Sequence, residues 1–276
     1  MADPTDEPRL EEDEDGGGAV KSFLEHLEDL RWMLIKSGAA LLIGMVVCLV
    51  GGDKVAVILA RPVLLANQMI PEPALKIHLG FYGPATGFMS AVHLGFFGGI
   101  ILSSPFIIYF VAEFVMPALK VKEKKYFLRA FFVGVLLFLG GVSFCYFLIL
   151  PRALQVAVYW SKWLLPGEIG VTPPWLAEQY FGFVSKFLIG MGLGFELPVV
   201  LLALVKIGVL DYERLAGFRR YMIVINLILG AVLTTPEIFT QLVMAVPLQL
   251  LYEASVWIAW YWERDERRKA RDLEGR

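Results

Sequence analysis

Long apolar stretches separated by short charged segments organise the chain from residue 33 to residue 262. A helix needs about 20 mostly apolar residues to cross a bilayer. The pattern predicts an all-α integral membrane protein with six transmembrane helices, at 33–50, 92–116, 130–151, 181–205, 221–233 and 241–262.

The last two predicted spans come from one apolar run that Thr234-Thr235-Pro236 interrupts. The proline lacks a backbone N–H donor, and its ring disfavours helical geometry at the residue before it. One broken helix and two spans joined by a turn both fit this run, and we prefer two spans. Spans this short predict a locally thinned bilayer.

Charged segments flank the spans at both ends of the chain. Residues 1–18 hold eight acidic residues and one basic residue, Arg9, and such a segment cannot bury enough apolar surface to fold alone. It has neither the apolar run of a signal peptide nor the acid-poor composition of a transit peptide. We predict a disordered acidic tail at 1–20, a six-span membrane domain at 21–262 and a charged cytoplasmic tail at 263–276.

Composition excludes an ordinary soluble domain. Hydrophobic residues make up 57% of the 276 positions and charged residues only 19%, with a mean hydropathy of +0.63. Charged residues make up about 25% of an average soluble domain. The net charge of −2 is the sum of −7 in residues 1–18 and +5 in the rest of the chain.

Basic residues near the span ends fall mostly on one side of the predicted topology. Five lie on the second side: Lys54, Arg61, Lys76, Arg152 and Lys162. Eighteen lie on the first side: Lys21, Arg31, Lys36, Lys120, Lys122, Lys124, Lys125, Arg129, Lys206, Arg214, Arg219, Arg220, Arg264, Arg267, Arg268, Lys269, Arg271 and Arg276. Cytoplasmic loops carry the excess of Lys and Arg, so both termini are predicted in the cytoplasm.

Catalytic and metal-binding motifs are absent from the sequence. There is no GxSxG, no phosphate loop, and no HExxH or CxxC spacing, and the three histidines are far apart. Cys48 and Cys145 lie inside apolar runs and are predicted to be buried thiols. We therefore expect no enzyme activity, no metal and no cofactor.

Ionisable residues inside the apolar stretches are costly in a bilayer and are candidates for function. Glu196 lies mid-span beside Pro198, and it either holds a helix kink through hydrogen bonds or forms a polar patch open to water or substrate. We prefer the second interpretation. Lys186 is expected to extend towards the outer interface rather than to pair with Glu196. Glu113 and Glu253 lie near span ends and are expected to reach the interface.

An amphipathic helix is predicted immediately before the first span. Phe23, Leu27 and Leu30 share one face of it, and the spacing of Ser22 and Glu25 is that of a capping box. The segment is either a membrane-surface helix or a docking surface. In the second case Glu25, Glu28 and Asp29 offer carboxylates for bidentate pairing with arginine.

Short motifs along the chain resemble those of the TatC family, the multispanning receptor subunit of the twin-arginine (Sec-independent) protein translocase. The resemblance covers about residues 22–262. The motifs are HLEDLR at 26–31, SP at 104–105 with Tyr109, FVMPAL at 114–119 with EKK at 123–125, GFELP at 194–198, RRY at 219–221, TPEIFTQ at 235–241, and PL at 247–248 with LYE at 251–253.

The resemblance implies a concave, glove-like arrangement whose cytoplasmic face binds the twin-arginine signal peptides of folded cargo proteins. It implies that Asp29 and Glu123 meet the arginine pair, and that Arg31, Phe114 and Pro117 belong to the same site. The other implied residues are polar or partner-contacting ones within the membrane and structural prolines: Glu196, Glu237, Gln241, Glu253, Pro62, Pro105, Pro198 and Pro236. Glu237 is equally consistent with capping a helix N-terminus.

The implied partners are single-span TatA/TatB-type membrane proteins within a homo- and hetero-oligomer in the bacterial inner membrane. The proton-motive force would drive transport. No nucleic-acid partner is implied. The sequence departs from the family where Asp29 replaces the usual Glu, where Phe110 replaces a frequent Gln, and where Lys124-Lys125 replaces Arg-Arg. A small-solute transporter is disfavoured because the chain lacks visible paired repeats with matching broken helices.

Overall fold

The computed structural model describes residues 23–70, 77–115, 127–164, 175–233 and 238–274. Two short strands are described, β1 (Leu79–Gly80) and β2 (Trp175–Leu176). The rest is dominated by nine helices: α1 (Phe23–Val50), α2 (Gly52–Met69), α3 (Thr86–Val115), α4 (Phe127–Phe144), α5 (Leu150–Leu164), α6 (Ala177–Phe195), α7 (Leu197–Lys206), α8 (Tyr212–Leu233) and α9 (Ile238–Glu274).

Six segments of this described chain are long and apolar enough to cross a membrane, which confirms the predicted six-span, all-α fold class. Helices α4 and α5 form one of them, because a π-helical turn at Cys145–Ile149 joins them without a break. Helices α6 and α7 form another, with a turn at Glu196 between them. We call the end of the bundle where α1 begins and α3 finishes the terminal end, and the opposite end the far end.

The helices are longer than the apolar stretches that predicted them. The fifth spanning helix begins at Tyr212 rather than Tyr221, and the sixth continues through Glu274. The additional turns carry arginines, which an apolar stretch excludes but a helix accommodates. At 1.5 Å per residue, the 22 residues of α8 extend about 33 Å. That length matches an ordinary bilayer core, so the expected local thinning has no basis in helix length.

The far end is more ordered than the sequence indicated, because segments expected to be loops contain α2, α5 and a parallel pairing of β1 with β2. The Asn67 side chain donates to the carbonyl of Ile77 at 3.0 Å and accepts from its N–H at 2.8 Å. The backbone N–H of Trp175 donates to the carbonyl of His78 at 2.8 Å. These bonds join α2 to the segment before β1, and that segment to β2.

Two prolines inside helices have hydroxyl donors that replace the N–H they lack. Pro105 removes the usual donor to the Ile101 carbonyl, and the Ser104 hydroxyl donates to that oxygen at 2.7 Å. Pro62 does the same to the Ile58 carbonyl, and the Tyr146 hydroxyl donates there at 2.6 Å. Each proline is thus accommodated without an unsatisfied backbone acceptor.

Helices α1 and α3 approach each other most closely at two glycines. A Cβ on Gly44 would lie 2.8 Å from the carbonyl oxygen of Gly99, and one on Gly99 would lie 2.7 Å from the backbone nitrogen of Met45. No side chain fits at either position. Small residues at such a crossing let two membrane helices pack backbone to backbone. This crossing lies towards the far end of α1 and brings the backbones of α1 and α3 into contact there.

Candidate functional site

The amphipathic segment predicted at 23–31 is the first part of α1, so it continues into the span without a break. His26 of α1 stacks on Phe114 of α3 with ring centroids 4.5 Å apart and an interplanar angle of 22°. Asp29, one turn after His26, lies on the same face and is half-buried. This contact fixes the start of α1 against the end of α3.

Lys36 makes the second contact between these helices. Its Nζ lies 3.4 Å from Oε2 of Glu113 and 5.8 Å from the centroid of the Phe110 ring. Positions 110, 113 and 114 share one face of α3, and positions 26, 29 and 36 share one face of α1. We call these six residues the α1–α3 seam: His26, Asp29, Lys36, Phe110, Glu113 and Phe114.

The structure brings only some of the expected arginine-binding residues together. Asp29 and Phe114 belong to the seam. Arg31 is exposed and lies about 200° around α1 from Asp29, so it faces away. Pro117 and Glu123 lie outside the described residues.

Glu196 lies in the turn between α6 and α7, with Pro198 buried in the first turn of α7. A Cβ on Gly134 of α4 would lie 3.2 Å from Oε2 of Glu196 and 3.4 Å from Cγ2 of Ile108. The carboxylate therefore packs where α3 and α4 meet the helix break. Its Oε1 atom is buried and has no hydrogen-bond partner among the described residues. An unpartnered buried oxygen favours the interpretation in which this group serves a ligand rather than a kink.

Lys186 does not neutralise Glu196. Ten residues along the helical segment separate the two, about 15 Å. The Lys186 side chain is exposed, and within the described part of the chain no ion pair joins it to Glu196. That Lys186 extends towards the outer interface stays a prediction.

A polar ladder connects α8 and α9, and it involves two residues expected within the membrane. Arg219 Nε lies 3.1 Å from Oε2 of Glu253. Gln249 donates to Glu253 at 3.5 Å and accepts from the fully buried Asn226 at 3.1 Å. At the far end, Gln241 donates to the Leu227 carbonyl at 2.6 Å. Glu237 and Pro236 lie outside the described residues.

Sequence reasoning missed the partner of Glu253, although a signal for it existed. Arg219 precedes Pro236 by 17 residues and Glu253 follows it by 17, and antiparallel helices joined at a turn bring such positions together. Glu253 therefore pairs with Arg219 of the neighbouring helix, and that it reaches the interface stays a prediction. Glu113 also has a helical partner, Lys36, which no sequence pattern indicated. Both cysteines are buried, as predicted.

Comparison with known proteins identifies the fold. A family model described as Sec-independent protein translocase protein (TatC) matches residues 25–247. The chain belongs to the TatC family. It is therefore a multi-pass membrane protein of the Sec-independent protein translocase, a transport component.

Related TatC proteins match most of the chain. The protein from Aquifex aeolicus is 37% identical over 237 residues, which are 85% of this chain and 92% of that protein. The one from Akkermansia muciniphila is 38% identical over 200 residues, 72% of this chain and 56% of that protein. A crystal structure of a twin-arginine translocase receptor, TatC, is 35% identical with a TM-score of 0.74, covering 86% of this chain and 98% of that one.

Proposed function

We propose that this TatC chain is the receptor for twin-arginine signal peptides and that the peptide binds at the terminal end. The observation that carries the proposal is the packing of the α1–α3 seam, which holds the half-buried Asp29 one turn from the stacked His26 and Phe114. A carboxylate on a rigid helix suits a guanidinium, which forms two parallel hydrogen bonds with it. Glu123 supplies the second carboxylate in this proposal.

The terminal end faces the cytoplasm in this proposal. Supporting it, Lys36, Arg129, Lys206, Arg219 and Arg264 lie on helix segments towards the terminal end. The far end has Lys54, Arg61 and Arg152 among the described basic residues. Excess positive charge marks the cytoplasmic side of a membrane protein. In this proposal the protein lies in the bacterial inner membrane with both termini in the cytoplasm.

The remaining polar residues serve partners in this proposal. The unpartnered oxygen of Glu196 is available to a polar group of the signal peptide or of a partner helix. Gln241, Glu237 and Glu253 contact single-span TatA/TatB-type proteins beside α8 and α9. Folded cargo then crosses the membrane through an oligomer of these proteins. The proton-motive force is the proposed energy source, since the sequence contains no phosphate loop for a nucleotide.

Site-specific photo-crosslinking tests the receptor function. A photoreactive residue replaces Glu28, which is exposed beside Asp29, in full-length protein in native membranes, and a radiolabelled twin-arginine precursor is added. We expect a crosslink that disappears when the arginine pair is changed to two lysines. The control carries the photoreactive residue at Trp160, which is exposed at the far end, and gives no crosslink. A crosslink at Glu28 that is equal for both peptides contradicts the proposal.

A further inference from the structure

We propose that Glu113 is an additional cation-binding carboxylate of the receptor site, and that Lys36 occupies this position until a signal peptide displaces it. The inference rests on the proposed receptor function and concerns a basic side chain of the peptide other than the one bound by Asp29. None of the sequence motifs assigns a role to either residue.

The α1–α3 seam already contains a cation-binding site made of a carboxylate and an aromatic ring. The Lys36 ammonium lies 3.4 Å from the Glu113 carboxylate and 5.8 Å from the centroid of the Phe110 ring. A carboxylate beside an aromatic face attracts ammonium and guanidinium groups alike, through charge and through the ring quadrupole. Lys36 therefore shows which chemical class of ligand the position accepts.

The position is accessible, and its present occupant is weakly held. The side chains of Lys36 and Glu113 are 46% and 45% exposed. Exposed ion pairs contribute little to stability, since water competes for both charges. A guanidinium forms two hydrogen bonds with a carboxylate and stacks flat on a ring, whereas an ammonium is a point charge. An incoming arginine therefore has the advantage over Lys36.

Glu113 also lies at a useful distance from the arginine site. Lys36, its present partner, follows Asp29 by seven residues on the same face of α1, which is about 10 Å along the helix. An extended peptide advances about 3.3 Å per residue. A basic residue within about three positions of the arginine at Asp29 therefore comes within reach of Glu113. The seam thus recognises a pattern of positive charge wider than one arginine pair.

Two single substitutions with opposite expected effects test this role. Binding of a fluorescent twin-arginine signal peptide to the full-length protein in nanodiscs is measured by anisotropy. Glu113→Gln should weaken binding about threefold to tenfold, since the cation loses its carboxylate. Lys36→Gln should tighten binding about twofold to fivefold, since the internal competitor is removed. The double variant should bind like Glu113→Gln alone.

A purely structural ion pair predicts another pattern. If Lys36 and Glu113 only hold α1 on α3, both substitutions weaken binding equally and the double variant adds nothing, which overturns the proposal. Unchanged binding in both variants overturns it as well. If Glu113→Gln does not fold, the sign of the Lys36→Gln effect decides. Arg214→Gln, which removes the exposed Arg214–Asp211 pair elsewhere at the terminal end, is the control and should leave affinity unchanged.

The peptide itself provides the second half of the test. Neutralising the basic residue outside the arginine pair should lower the affinity of the wild-type receptor but not that of Glu113→Gln. An equal loss in both receptors overturns the role of Glu113. If the wild-type receptor binds an arginine pair and a lysine pair equally, it is the receptor function itself that fails, so the two failures are distinguishable.

Discussion

Arg219 of α8 and Glu253 of α9 form an ion pair of 3.1 Å between two antiparallel helices. Both side chains are partly exposed, at 42% and 33%, so the ion pair by itself contributes modestly to the free energy of unfolding. The pair nevertheless fixes the register of α8 against α9, because Gln249 and Asn226 continue the polar ladder towards the far end. Helix α9 carries two of the residues that we assign to partner proteins, Gln241 and Glu253.

The Arg219–Glu253 pair should be measurable by a double-mutant cycle. Arg219→Ala and Glu253→Ala should each lower the free energy of unfolding in detergent, with a coupling energy of about 0.5–1 kcal/mol. Arg220→Ala makes the same charge change one position later and should show no coupling with Glu253→Ala. A coupling near zero for Arg219 would mean that the register of α8 and α9 depends on apolar packing alone.

The hydroxyl of Tyr146 should stabilise the fold, because it replaces the N–H donor that Pro62 lacks. Tyr146→Phe removes the donor to the Ile58 carbonyl and should lower the free energy of unfolding by about 1–2 kcal/mol. In a Pro62→Ala background the new N–H reaches that carbonyl, so the cost should shrink. Tyr159→Phe, at an exposed position of α5, should have little effect. An equal cost in both backgrounds contradicts the assigned role of the hydroxyl.

The glycine crossing of α1 and α3 should tolerate no added methyl group. Gly99→Ala places a Cβ 2.7 Å from the Met45 nitrogen, so the helices must separate, at a cost of about 1–3 kcal/mol in thermal or detergent unfolding. Gly87→Ala in the same helix meets no atom within 4 Å and should be neutral or slightly stabilising. Equal stability of the two variants would show that the crossing is not tight.

Glu196 should behave as a functional group that costs stability. Because its Oε1 atom is buried without a partner in the part of the chain that the structure describes, Glu196→Leu should raise the free energy of unfolding by about 1–3 kcal/mol while lowering transport. Unfolding in detergent and export of a twin-arginine cargo measure the two effects. Destabilisation by this substitution would instead support the other interpretation, a hydrogen-bonded glutamate that holds the helix break.

Local sequence signals predicted the membrane spans, but not how the helices pair. Apolar length alone located the spans, and Pro236 explained why the last run is two helices. The His26–Phe114 contact joins positions 88 residues apart, and nothing in helical periodicity says which helices are neighbours. At the far end, Lys54 and Arg61 interrupt the apolar pattern, so α2 was missed. Its amphipathic surface becomes visible only when the spanning helices provide a packing partner.

We propose above all that Asp29 binds the arginine pair of the signal peptide. The most direct measurement is the affinity of wild-type and Asp29→Asn protein in nanodiscs for signal peptides that carry either two arginines or two lysines. We predict that the wild type prefers arginines by about tenfold or more, as expected for a charged bidentate pair, and that Asp29→Asn loses this preference. An arginine preference that survives Asp29→Asn unchanged would contradict the account.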